Sequence, residues 1–256
     1  MSGIQIRGQC IGEGRPKVIL PLVEHTEAAI LARGAEFSTL RADCVEWRVD
    51  LWDEPADAAA LERCLQGLRQ ALGDKLLLVT FRTQAEGGQK AISPEGYAAL
   101  CRRVCASGCA DLLDLELLPT GAALPSLIQQ AHAASVKVIC SSHDFTGTPP
   151  QAQLMERMEQ MFQARADIAK LAVMPRCRED VLELLAATAG MRRARPELPL
   201  VTMSMGPLGA VSRLWGEAMG SAMTFAAAGK SSAPGQLELE LVNAALDALR
   251  IDDGAI

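Results

Sequence analysis

Lys170 stands in Asp167-Ile168-Ala169-Lys170-Leu171-Ala172-Val173-Met174-Pro175, a run whose other residues read as a buried strand. A lysine there either snorkels to the surface or is kept for amine chemistry. Burial and neighbouring positive charge favour the free amine, which attacks carbonyl carbon. Such chemistry needs a partner that moves protons. His143 ends the run Val136-Lys137-Val138-Ile139-Cys140-Ser141-Ser142-His143, 27 residues before Lys170. A strand, a helix and the next strand take about that length in an alternating fold, so the two side chains are expected on adjacent strands.

Other polar residues fall at the ends of apolar runs. Glu46 and Arg48 flank Trp47 and share one face of a strand, Arg82 closes Val79-Thr80-Phe81-Arg82, and Arg213 follows the glycine-rich Gly206-Pro207-Leu208-Gly209. Singly, each has a bland reading. Glu46 and Arg48 suit a structural ion pair, Arg82 a loop anchor, His143 a cap or a core hydrogen bond, and Arg213 a salt bridge at a helix start. Arg213 also suits a two-pronged clamp on a carboxylate, whereas Gly206 and Gly209 suit a phosphate nest. The segment 229–236 is poor in apolar residues and reads as a lid that uses Ser232 and Gln236, or as a plain connector.

The elements that must position these groups alternate. Strands are expected at 17–23, 44–49, 76–82, 112–116, 137–141, 168–173, 200–204 and 221–226, the fourth and eighth being the weakest in pattern. Helices are expected at 26–41, 58–72, 94–107, 124–134, 151–165, 179–192, 211–219 and 237–249. Ser93 before Pro94 reads as a helix cap, and Gly73 and Gly190 as helix stops. Eight βα units in this length favour a closed (β/α)8 TIM barrel, an α/β fold, over a doubly wound sheet. Residues 4–11 read as a β-hairpin closing the barrel bottom, so the organisation expected is one barrel domain over 1–256 with 1–16 as a hairpin extension. In a barrel the C-terminal strand ends build the active site, and there the polar residues accumulate.

Composition sets the outer limits. The chain has 256 residues, 49% of them hydrophobic, which supports one large core without disulfides or metals. A net charge of -6 and the lack of a basic arm argue against nucleic-acid or acidic-membrane binding. The eight cysteines are scattered; Cys101, Cys105 and Cys109 repeat on one helix face and read as packing, and three histidines give a metal site little to build on. No signal-peptide core or membrane-spanning run is visible, so a cytoplasmic location is expected.

In order and combination, Glu46-Trp47-Arg48, Thr80-Phe81-Arg82, Glu86-Gly87-Gly88, Ser142-His143-Asp144-Phe145, Lys170 to Pro175, Ser204-Met205-Gly206, Ser212-Arg213 and Ser232-Ala233-Pro234-Gly235-Gln236 resemble the type I 3-dehydroquinate dehydratase family. The resemblance covers nearly the whole chain. It implies a homodimeric (β/α)8 barrel that turns 3-dehydroquinate into 3-dehydroshikimate and water in the shikimate pathway, with no metal or organic cofactor. By motif match, Lys170 forms the imine, His143 is the general acid and base, and Glu86 orients or electrostatically supports His143. The same match gives the substrate carboxylate to Arg213 and Gln236, lid closure to Ser232, and the ring hydroxyls and reacting centre to Glu46, Arg48 and Arg82.

Three other readings stay open on the residues alone. A second Schiff-base barrel, of aldolase or transaldolase type, shares the lysine and is separated by a phosphate nest in place of the carboxylate clamp. A non-enzymatic barrel that binds a small acid would hold ligand without turnover. A structural dimerisation module would leave the polar groups facing no common cleft.

Overall fold

The structure, a computed structural model, describes residues 3–55 and 57–251. The chain starts with β1 (Ile4–Ile6) and β2 (Gln9–Ile11), an antiparallel hairpin turned at Arg7-Gly8. Alternation follows: β3 (Lys17–Leu22), α1 (Glu27–Thr39), β4 (Cys44–Arg48), α2 (Ala58–Leu72), β5 (Leu76–Thr80), α3 (Pro94–Ala106) and β6 (Leu112–Glu116). Two helices, α4 (Leu117–Thr120) and α5 (Leu124–Ala133), precede β7 (Lys137–Asp144), α6 (Gln151–Gln163), β8 (Ile168–Val173), α7 (Arg178–Ala194) and β9 (Leu200–Ser204). The short α8 (Val211–Leu214) and α9 (Gly216–Met219) lead to β10 (Met223–Ala227), β11 (Leu237–Glu238) and α10 (Leu239–Ala248).

Strands β3 to β9 pair in sequence order, all parallel, and β10 pairs with β3. A bridge between Leu200 and Ser221, with Ala222 N–H donating to the Leu200 carbonyl at 2.6 Å, joins β9 to the start of β10 and closes the ring. The result is the expected (β/α)8 barrel.

Side-chain alternation divides the core in two. On β8, Ala169, Leu171 and Val173 face the helical layer, whereas Ile168 and Ala172 join Ile19, Leu76, Leu112 and Ile139 inside the barrel. Ile4, Ile6 and Ile11 of the hairpin pack on that inner cluster at the N-terminal ends of the strands. The hairpin therefore caps the bottom with apolar surface, and the polar chemistry is left to the other mouth.

Three expectations need correction. The helix expected at 211–219 is two short helices that break at Trp215, next to Gly216, a residue that weakens helix propagation. Gly190 does not end a helix; α7 runs through it, because a residue with no side chain lets α7 approach Met155 of α6. The last helix starts at Leu239, since Leu237 and Glu238 stay extended and pair with Ala226 and Ala227 of β10. That pairing anchors both ends of the 229–236 loop on the barrel rim.

Candidate active site

Lys170 and His143 do leave neighbouring strands. In the β7–β8 ladder Lys170 sits opposite Ser141 and His143 opposite Ala172, so the two side chains point into the same mouth, one inward-facing position apart. Both line one cavity together with Glu46, Arg48, Arg82, Glu86, Arg213, Ser232 and Gln236. All nine residues singled out in the sequence thus meet in one cleft, which Ala172, Met203, Met205 and Phe225 complete with apolar surface.

The expected positive field around the lysine is not what surrounds it. Lys170 Nζ donates to Asp114 Oδ2 at 3.2 Å, lies 3.7 Å from Glu46 Oε1, and sits 4.7 Å above the centre of the Phe225 ring. Arg48 does not pair with Glu46: its Nε and Nη2 each meet an Asp50 oxygen at 2.8 Å. Glu46 instead accepts the Thr80 hydroxyl at 2.9 Å. Arg82 is a hub, with Nη1 donating to Glu116 at 2.8 Å and to Ser141 Oγ at 3.0 Å, and Nη2 lying 3.0 Å from Asp114. These guanidinium groups are fixed, with little freedom left to swing.

His143 is held through Glu86. Glu86 Oε2 accepts the backbone N–H of His143 at 3.1 Å and faces its ring Nδ1 at 2.8 Å. Burial, then the charges of Arg82, Lys170 and Arg48, push the imidazole well below its ordinary range, so it is neutral at neutral pH. Burial raises the Glu86 carboxyl to about 8, with Arg82 opposing and Glu116 and Asp114 adding to the rise. Oε1 of Glu86 has no hydrogen-bond partner, so the contacts to His143 fall on Oε2 alone. The network therefore assigns Nδ1 as protonated and Nε2 as the basic nitrogen. A turn supports this carboxyl: a Cβ on Gly88 would stand 1.8 Å from the Arg82 carbonyl, so only glycine lets the chain fold back there.

Arg213 differs from the other cavity arginines. It is 1% exposed, faces no carboxylate among the described residues, and contacts the Pro234 carbonyl at 3.1 Å and Met203 Sδ at 3.6 Å. Burial lowers it to about 10, which leaves it charged at neutral pH. Ser212 fixes its helix by accepting from Ser204 N–H at 2.9 Å and donating to the Gly209 carbonyl at 2.7 Å. The loop 229–236 lies against this arginine, with Ser232 N–H donating to Gln236 Oε1 at 2.8 Å and Gln236 Nε2 to Ser232 Oγ at 3.0 Å.

The sequence reading passed over Asp50, Asp114, Glu116 and Ser141. Asp114 and Glu116 carried a usable signal: in Leu112-Leu113-Asp114-Leu115-Glu116 they occupy the inward positions set by Leu112. Nothing local distinguishes Asp50 from a surface aspartate, yet it is fully buried beneath Arg48 and also accepts the Arg82 backbone N–H at 3.1 Å.

A family model described as Type I 3-dehydroquinase matches residues 18–253. A 3-dehydroquinate dehydratase of Enterococcus faecalis is 43% identical over 242 residues, covering 94% of this chain and 96% of that protein. One from Clostridium kluyveri is 44% identical over 239 residues, covering 93% and 94%. A solved type I 3-dehydroquinate dehydratase from Clostridium difficile, described with covalent modified comenic acid, has a TM-score of 0.94 at 38% identity and covers 96% of this chain and 97% of that one. Because the match runs over almost the entire barrel, strand ends included, the chain belongs to the type I 3-dehydroquinase family.

Proposed function

We propose that the chain dehydrates 3-dehydroquinate to 3-dehydroshikimate and water by a syn elimination through an imine on Lys170, a hydro-lyase step of the shikimate pathway. The observation that carries this reading is the register of β7 and β8, which sets a buried amine and a neutral imidazole at one mouth, with an unpaired arginine lining the same cavity. Lys170 adds to the C3 ketone and loses water to give a protonated imine, an electron sink next to C2. His143 Nε2 removes a C2 proton, and the imidazolium returns it to the C1 hydroxyl, which departs as water. Hydrolysis of the product imine frees the lysine.

Electrostatic pairing supports the ligand assignment. Arg48 is matched by Asp50, and Arg82 by Asp114 and Glu116, so Arg213 is the cavity guanidinium that awaits an anion. Arg48 Nη1, unpartnered among the described residues, and Glu46 serve the ring hydroxyls, while Ser232 and Gln236 act from the loop. Arg82 positions the reacting centre through its neighbours. The phosphate nest that an aldolase-type reading requires is disfavoured: Gly206 N–H donates to the Pro234 carbonyl at 3.1 Å and Gly209 N–H to the Gly206 carbonyl at 3.2 Å. The assembly we assign on the family resemblance is a cytoplasmic homodimer; sedimentation of the purified chain checks the dimer.

The decisive assay mixes purified protein with 3-dehydroquinate and follows the conjugated enone, then reduces the mixture with borohydride and maps the adduct by peptide mass. Enone formation with an adduct on Lys170 is expected. Lys170→Ala should give neither, whereas His143→Ala should form adduct but eliminate far more slowly. Absence of both dehydration and adduct in the parent would sink the assignment.

A further inference from the structure

Asp114 is fully enclosed and touches the reacting nitrogen. Its Oδ2 accepts from Lys170 Nζ at 3.2 Å, while Oδ1 accepts the Ser141 hydroxyl at 2.7 Å and lies 3.0 Å from Arg82 Nη2. We propose that Asp114 is the catalytic counter-ion of the imine, accepting its single N–H and keeping the nitrogen protonated until C2 is deprotonated. The inference rests on the reading that Lys170 forms an imine.

Charge balance supports it. Ammonium and ketone give protonated imine and water, so the nitrogen carries one positive charge before and after the step. A carboxylate preorganised for the ammonium is already placed for the imine. The ammonium has three N–H bonds to share, but the protonated imine has one. Asp114 is the carboxylate within hydrogen-bond reach, whereas Glu46, at 3.7 Å, is committed to the Thr80 hydroxyl. Deprotonation at C2 then turns the iminium into a neutral enamine, and the proton resides on His143.

Asp114 stays ionised although it is buried. Burial alone raises its carboxyl, but Arg82 and Lys170 outweigh that and, with the Ser141 hydrogen bond, bring it below the ordinary range. Other charged and titratable groups approach from each side: Glu46 from β4, Glu116 from β6 and His143 from β7. Arg82 stands behind with Glu86 at 3.5 Å, and Arg48 is paired to Asp50. Removing the Asp114 charge also shifts His143 and Glu86, so the test must read the imine without the elimination.

The His143→Ala background does so. There the rate at which cyanoborohydride fixes 3-dehydroquinate on Lys170, measured by intact mass, reports the protonated imine. Adding Asp114→Asn should slow fixation about 10-fold or more at pH 8 and by clearly less at pH 6, where solution protons replace the missing counter-ion. An unchanged rate, or a deficit equal at both pH values, would overturn the proposal. If circular dichroism shows that the double variant is unfolded, Ser141→Ala in the same background removes one hydrogen bond from Asp114. It should slow fixation a few-fold with the same pH trend, and no trend there overturns the proposal as well. Failure of His143→Ala itself to fix ketone would instead indict the imine reading.

Discussion

One oxygen of Glu86 serves His143 twice: Oε2 meets the backbone N–H at 3.1 Å and ring Nδ1 at 2.8 Å. The backbone bond ties the carboxyl to the end of β7, and the ring bond selects the tautomer that presents Nε2 to the cavity. A glutamine places a carbonyl oxygen at the same point, and an alanine places nothing. Glu86→Ala should therefore lower kcat on the order of 100-fold with little change in KM, while Glu86→Gln should stay within about 10-fold of the parent. Steady-state kinetics of the two variants decide it; equal losses would remove tautomer control from the account.

The same carboxyl makes stability depend on pH. Its pKa rises from 4.5 to about 8 on folding, so between those values the folded chain retains a proton that the unfolded chain has released. The native state then binds more protons, and stability falls as pH rises through this window, by an amount on the order of a few kcal/mol. His143 acts at the acid side. Its pKa drops from 6.5 on folding, so below about pH 6.5 the unfolded chain binds the extra proton and stability falls as pH falls. Thermal melts from pH 5 to 9 should show Glu86→Gln gaining Tm over the parent as pH rises, and His143→Gln gaining as pH falls. Parallel Tm curves would contradict both shifts.

Arg213 and Arg82 are buried alike but should respond oppositely to removal. Arg213 faces no carboxylate, so Arg213→Met strands no charge and should leave Tm level or higher, while raising KM about 100-fold with a smaller loss in kcat. Arg82→Met leaves Glu116 buried without a cation among the described residues and Asp114 with Lys170 alone, an effect of about 3–5 kcal/mol, and should depress Tm sharply. Melting curves, with kinetics on the folded variants, separate the two roles. A large Tm loss in Arg213→Met would show that this arginine is structural.

The barrel was legible because its signals are local. Apolar runs, caps such as Ser93 accepting from Gly96 N–H at 3.1 Å, and the glycine stop at Gly73 each act within a few residues. Part of the candidate site was legible where a polar residue interrupts or closes an apolar run, as Lys170, His143 and Arg82 do. Glu86, Arg213, Ser232 and Gln236, which lie outside the strands, were legible from loop and helix-start composition and from the motif resemblance. Pairing was not. Glu46 and Arg48 share a strand face in sequence, yet Arg48 turns to Asp50 two residues on while Glu46 crosses to Thr80 on β5. Partner choice depends on closure of the ring, which brings β4, β5, β6 and β8 together, and no spacing within one strand encodes it. The extended start of the last helix was hidden for a similar reason: Leu237-Glu238 is strand only because Ala226 and Ala227 lie beside it.

Docking of the 229–236 loop turns on Gly235. Its φ is +78°, and a Cβ there would meet the Gly206 carbonyl oxygen at 2.4 Å, so a side chain is opposed by both conformation and contact. The docked loop delivers the Pro234 carbonyl to Gly206 N–H and to Arg213 Nη2, both at 3.1 Å, and so links the lid to the unpaired arginine. Gly235→Ala should lift the loop without disturbing the barrel, because loops of this kind open at little expense to global stability. KM should rise about 10-fold, with a smaller change in kcat and a Tm close to that of the parent. Limited trypsin digestion gives a second readout: cleavage after Lys230 should be faster in the variant, and a saturating shikimate-like acid should protect the parent more than the variant. Unchanged KM together with unchanged cleavage would mean that the segment is a connector and not a lid.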